Sequence, residues 1–298
     1  MRPFTANPFH IPARFGLSRT AAGALLTLAT SLACQAQAQE AHPLIGLINE
    51  FREADEACGA GDGQAIGPLA PNEALSVQPA ASGTQLQEAL QASGYRPSKL
   101  QAMSVSGPAD AKAAMQALKQ RYCEPLRSQE FAEIGVSRKG NTWQVLLAKP
   151  LLSPDLGDWQ QVGKNVLQRV NEARAQPRTC GSRSFQAAPA LSWNAKLGDA
   201  ALAHSRDMAE QNYFSHQAPD GSQVSDRASR AGYRWQRIGE NIAAGQGSEE
   251  QVMAGWLASP GHCSNIMNPD FTEMGAAYAM DKSSAAGSYW TQVFGKPR

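Results

Sequence analysis

The chain repeats itself, and this limits its fold more than any other feature. "LINEFREADEACG" and "RVNEARAQPRTCG" set Asn49, Glu50, Arg52, Cys58 and Gly59 against Asn171, Glu172, Arg174, Cys180 and Gly181, each pair 122 residues apart. Leu69, Asn72 and Leu75 continue at the same offset to Leu191, Asn194 and Leu197. "SGYR" then matches "AGYR" at offset 138, and "CEPLRSQEFAEIG" matches "CSNIMNPDFTEMG" at offset 140, which pairs Cys123 with Cys263. Both copies close alike, with Trp143 and Trp290, then Lys149-Pro150 and Lys296-Pro297. Ordered blocks of this kind predict two related domains, 40–150 and 155–298, joined through "KPLLSPDLGDW" with Pro150 and Pro154 as breakers.

The offset grows by 16 between Leu197 and Gly232, so the second copy carries an insertion there. That insertion holds His204 and His216, which the first copy lacks. The same alignment sets Ala102 opposite Glu240 and Tyr122 opposite His262. Polar chemistry is therefore expected in residues 155–298.

The N-terminus reads as a secretory signal peptide over 1–38: Arg2, Arg14 and Arg19, an apolar stretch from Ala21 to Ala33, then Ala36-Gln37-Ala38. No segment reaches the roughly 20 apolar residues of a membrane-spanning helix. The reading is a secreted or periplasmic protein, with lipidation at Cys34 the lesser alternative. Removing 1–38 leaves Cys58, Cys123, Cys180 and Cys263 in a compartment where disulfides persist. Four cysteines allow three connectivities, and the repeat favours Cys58 with Cys123 and Cys180 with Cys263. With 27 basic and 26 acidic residues there is no global field to recruit nucleic acid.

In the second copy, periodicity predicts helices over 160–176 and from Trp193 to Asn212, with His204 on an apolar face beside Leu197, Ala201 and Met208. Ser225 to Ala231 is a short helix, and "SEEQVMAGWLAS" a helix with Ser248 as N-cap. "TEMGAAYAM" and "YWTQVFG" read as strands. The fold class is α+β, a three-layer α-β-α sandwich present twice.

"HSRDM", "YFSHQAPDGS", "GENIAAG", "W-x-x-SPGH-x-x-NIMNP" and "YWTQVFG" resemble the bacterial branch of the CAP superfamily, the cysteine-rich secretory, antigen 5 and pathogenesis-related 1 proteins. The resemblance covers about 160–298; the first copy reads as a degenerate CAP-like domain. It implies a central cavity lined in many members by two histidines and two acidic residues. His216 corresponds to the first histidine and Glu240 to the "GEN" glutamate, whereas Trp290 stands at the second histidine and Ser259 at the second glutamate. His262 is expected to fill the vacated space, held near the cavity mouth by Cys263 in a stapled loop.

His216, Glu240, His262, His204 and Trp290 are thus the expected cavity residues. Two imidazoles and a carboxylate (His216, His262, Glu240) also form a ligand set for a catalytic zinc, and a metal-dependent hydrolase or protease is the alternative function. No G-x-S-x-G elbow supports a serine nucleophile, and disulfides occupy the cysteines. The preferred reading is a binding module that needs no cofactor, admits a weakly held zinc, and takes a small-molecule, lipid or cell-envelope ligand.

Overall fold

The expected C-terminal elements form with shifts of one or two residues at their ends. In a computed structural model of the chain, the described residues are 42–298 apart from 60–62, 81 and 154; the expected signal peptide, Cys34 and Pro154 lie outside them. Helix α4 spans Trp159–Arg174, α5 Ala195–Gln211, α6 Val224–Arg230 and α7 Glu249–Leu257; strands β9 and β10 span Glu273–Met280 and Ser288–Pro297. Asn194 starts α5 by accepting from the Lys196 and Leu197 amides, and the Ser248 hydroxyl accepts from the Gln251 amide at the start of α7.

One strand lies outside the expected elements, and one expected loop is a helix. "GENIAAG" lies in a long strand, β8 (Trp235–Ala244), which pairs antiparallel with β10. "SPGHCSNIM" is not a stapled loop but a helix, α8 (Pro260–Met267), with Ser259 at its N-cap and Pro260 at N1, where a missing N–H costs nothing.

The C-terminal sheet runs β7-β9-β10-β8, with β7 (Ser192–Trp193) parallel to β9. Side chains alternate across a strand, so each face collects its own helices. Met274, Ala276 and Tyr278 of β9, with Trp290 and Phe294 of β10, meet Val162, Val166 and Val170 of α4, Val252 and Trp256 of α7, and Ile266 of α8. Ala277 and Val293 instead meet Leu197 and Ala201 of α5 and Ala228 of α6. Helices on both faces of one sheet make the α-β-α sandwich. A β-ribbon of β5 (Arg178–Cys180) and β6 (Arg183–Phe185) flanks it.

Residues 42–149 build a second sheet in the order β1-β3-β4-β2, from Ala70–Pro71, Glu133–Lys139, Thr142–Lys149 and Lys99–Ser106. Helices α1 (Pro43–Glu53) and α3 (Ala111–Leu126) cover one face, and α2 (Gly83–Ala92) with Leu75 covers the other. The register repeats that of the C-terminal sheet: Ala70 opposes Glu133 as Ser192 opposes Glu273. So does a buried arginine. Arg52 donates to the carbonyls of Gly67, Leu126, Ser128 and Phe131, and Arg174 donates to those of Pro189, Ile266, Asn268 and Phe271. Gly135 and Gly275 share one constraint, since a Cβ there would lie 2.3 Å from the Leu75 backbone or 2.0 Å from the Gly198 amide.

Cys58 pairs with Cys123 and Cys180 with Cys263, bridging 65 and 83 residues. Both follow the expected pairing. The described residues from 42 to 298 belong to one compact unit, in which the two sheets' helices touch. Asn49 donates to the Ala258 carbonyl at 3.3 Å, Gln246 to that of Pro68 at 2.9 Å, and Gln251 to Glu133 Oε1 at 2.9 Å.

Candidate functional site

Strand alternation decides which of the expected residues can meet. Glu240 lies on the face of β8 that turns toward α5 and α6, where its carboxylate is 2 % exposed. Its Oε1 is 2.8 Å from His216 Nδ1, and its Oε2 accepts from the Arg227 guanidinium at 2.8 Å. Arg227 also donates to the carbonyls of His216 and Ser222, so one buried cation from α6 pins the carboxylate and the histidine's backbone together. The His216 ring remains 54 % exposed.

His204 sits behind this pair, fully buried, with Nε2 2.9 Å from the Ser215 carbonyl and 3.9 Å from Glu240 Oε1. A carbonyl only accepts, so Nε2 carries the proton. Burial pulls the His204 pKa down to about 4 and outweighs the opposing pull of Glu240. The imidazole is therefore neutral at pH 7. Burial alone would raise the Glu240 pKa, but the His216 hydrogen bond and the Arg227 guanidinium help bring it below the ordinary carboxylate value. Glu240 is ionised.

Beside this cluster, a cleft of about 500 Å³ runs between α5, the 218–222 turn and α6; Asp199, Ala203, His204, Asp207, Arg227 and Arg230 line it. Two buried nitrogens of its lining residues, His204 Nδ1 and Arg227 Nε, have no hydrogen-bond partner within the protein.

The structure does not bring His262 or Trp290 to this cluster, because the sheet lies between. Trp290 faces the α4 and α7 layer, 1 % exposed, where its indole N–H donates to the Gln246 carbonyl at 3.0 Å and its ring packs against Tyr278 at 5.3 Å. His262 belongs to α8 on the same side, and its Nδ1 is 2.9 Å from Ser259 Oγ and 2.6 Å from Glu53 Oε1. The Glu53 approach is oblique, since Oε1 makes no aligned hydrogen bond. It is close electrostatic contact, and Ser259 provides the directional bond. Asn241 joins the two sides through the strand: its side chain donates to the His262 carbonyl at 3.2 Å while its neighbour Glu240 points the other way.

The expected metal trio is thus split across a sheet. Among the described residues no group of three or more His, Cys, Asp or Glu side chains is placed to hold a metal ion. The Glu240 cluster does not suit a divalent cation, because its carboxylate is shared between His216 and a guanidinium that would repel one.

Arg227 was not singled out by sequence reasoning, nor was Glu53. Arg227 lies in "SDRASR", a polar run of six residues that looks solvated, and its side chain meets the buried Glu240 carboxylate of the neighbouring strand. Glu53 reaches His262 from the other half of the chain, for which no local pattern exists.

Residues 167–294 match the cysteine-rich secretory protein family, CAP. The chain carries a CAP domain. The domain is similar to an uncharacterised protein, YkwD, of Bacillus subtilis, 39 % identical over 116 residues that make up 39 % of this chain and 43 % of that one. It is also similar to an uncharacterised membrane protein of that organism, YlbC, 35 % identical over 104 residues, covering 35 % of this chain and 28 % of the relative. The chain thus spans less than half the length of the curated relatives it matches. Among solved structures, an extracellular protein containing an SCP domain from Bacillus anthracis aligns with 27 % identity and a TM-score of 0.37, over 52 % of each chain. An outer surface protein of Borrelia burgdorferi aligns with 18 % identity and a TM-score of 0.37, over 45 % of this chain and 92 % of its own. The CAP domain here holds one of the two disulfides, and no helix among the described residues is long and apolar enough to cross a membrane.

Proposed function

We propose that this is an exported binding protein whose CAP domain takes a polar ligand at the His216–Glu240–Arg227 cluster and the cleft beside it. One observation carries the reading: a half-exposed imidazole is held at Nδ1 by a buried carboxylate that is itself clamped by an arginine. Donating Nδ1–H to Glu240 leaves the His216 Nε2 lone pair facing outward as an acceptor. The cleft beside it adds the Asp199 carboxylate and the Arg230 guanidinium, an acceptor and a donor for an incoming hydroxyl or amide group. That chemistry favours a glycan or peptide-like ligand of the cell envelope over a lipid. Leu151 is also the one large hydrophobic side chain exposed among the described residues. No cofactor is required; a divalent metal such as zinc would meet the single free His216 nitrogen and be held weakly.

Export rests on the signal-peptide pattern at 1–38 and on the two disulfides. Residues 40–150 are read as a degenerate CAP-like domain and 155–298 as the working copy. The shared strand order, register and arginine anchors support that reading, and Ala102 and Tyr122 stand where the working copy has Glu240 and His262.

A second reading is hydrolysis, favoured by one feature: an imidazole oriented by a carboxylate is the arrangement of a general base. Two-dimensional NMR of the mature chain, titrated separately with zinc chloride, palmitate and an N-acetylglucosamine oligomer, separates these readings. The proposal expects the glycan to shift the His216 ring and the backbone amides of 216–222, with loss of the effect in His216→Ala. A response to palmitate alone, or one unchanged in His216→Ala, refutes it. Turnover of an acyl or peptide ester lost in His216→Ala would favour the hydrolase.

A further inference from the structure

One three-residue device is built twice in this chain, and only one copy is filled. In residues 42–149, Tyr95 and Asn72 donate to Glu133 Oε2 and Oε1, the latter at 3.0 Å. In the CAP domain, Tyr233 and Asn194 donate to Glu273, both to Oε2, at 2.7 and 3.2 Å. The surroundings correspond as well. Glu133 and Glu273 each face the short parallel strand at the same register, and Asn72 and Asn194 each cap the turn or helix that follows.

Glu133 has a further partner. The Gln251 side chain of α7 donates its amide N–H to Glu133 Oε1 at 2.9 Å, while its own oxygen accepts from the Gly247 amide at 2.7 Å. This docking buries Glu133 to 1 % exposure. Glu273 has no such cover. Among the described residues no side-chain amide donates to its Oε1, and Glu273 lines a pocket of about 490 Å³ with Asn194, Lys196, Tyr233, Arg234 and Arg298.

We propose that this pocket is a carboxamide-binding site, taking the side chain of a glutamine or asparagine from a partner polypeptide as the Glu133 site takes Gln251. The lining selects the ligand by charge. An ammonium group is disfavoured by Lys196, Arg234 and Arg298, a carboxylate by Glu273, and a neutral carboxamide offers an N–H to Glu273 Oε1 and an oxygen to the cationic rim. The site is separate from the His216 cluster and does not depend on the function proposed there.

The test uses the mature chain and three small probes, the N-acetyl N-methylamides of glutamine, glutamate and lysine, followed by backbone NMR. The glutamine probe alone is expected to shift the amides of Lys196, Gly232 and Glu273, with millimolar affinity. Glu273→Gln should weaken it at least about tenfold, the loss expected for one charge-assisted hydrogen bond. Ala195→Trp, on an exposed position at the start of α5, should block the pocket even if Glu273→Gln fails to fold. Equal response to the glutamate or lysine probe, undiminished binding in Ala195→Trp, or no response to glutamine overturns the proposal.

Discussion

His204 makes this protein's stability depend on pH in a window that few other groups share. Its pKa falls from 6.5 in the unfolded chain to about 4 in the folded one, burial being the main cause. A group with a depressed folded pKa contributes stability that is complete above its unfolded pKa and is lost as pH falls toward the folded value. Between pH 7 and about pH 4.5 the unfolded chain takes up nearly a full proton at this site and the folded chain only a fraction. With 1.36 kcal/mol per pH unit, the loss approaches about 2.5 kcal/mol. Glu240, whose pKa is lowered, works in the same direction as its unfolded carboxyl takes up a proton around the ordinary value of 4.5, but it is present in both chains compared below. The assay is urea unfolding at several pH values, comparing the native chain with His204→Gln, whose amide can still donate to the Ser215 carbonyl. His42, also lowered by burial and by Arg138, remains in both and cancels. The native chain should lose about 2 kcal/mol more than the variant across the window. Parallel curves would refute the reasoning, because they would mean that the folded protein accepts a proton at His204 without penalty.

Other outcomes follow from the same geometry. Arg174→Met should destabilise by about 3 kcal/mol in denaturant unfolding, since it orphans buried carbonyls at Ile266, Asn268 and Phe271. Non-reducing peptide maps should show two bridges, one within each half, and replacing Cys180 and Cys263 by serine should cost about 4 kcal/mol, as expected for an 83-residue separation. Gln251→Glu should lower the melting temperature, because it faces the buried Glu133 carboxylate with a like charge.

Much of the fold was legible because it follows local rules. Helices α4 and α7 announce themselves through apolar spacing and the Ser248 cap, and the repeat offsets foretold both disulfides and the paired arginines. Strand β8 was missed because "RIGENIAA" places Glu240 and Asn241 in the middle of a strand, where polar side chains gain meaning only from what lies on each face. The α8 helix was missed because Pro260 and Gly261 read as loop residues, although proline at the first helical position is favourable. The site was half legible. His216 and Glu240 were brought together as expected, but the choice between His262 and Arg227 as their companion depended on which side of the sheet each element packs, and motif order along the chain does not encode that.

The central claim is that Glu240 orients His216 so that Nε2 faces an incoming ligand. Long-range 1H–15N NMR of the histidine rings near pH 7.5 measures this directly. The account predicts that neutral His216 carries its proton on Nδ1, that this proton exchanges slowly, and that Glu240→Gln mixes the tautomers. A His216 ring protonated on Nε2, or one whose tautomer ignores Glu240→Gln, would contradict it.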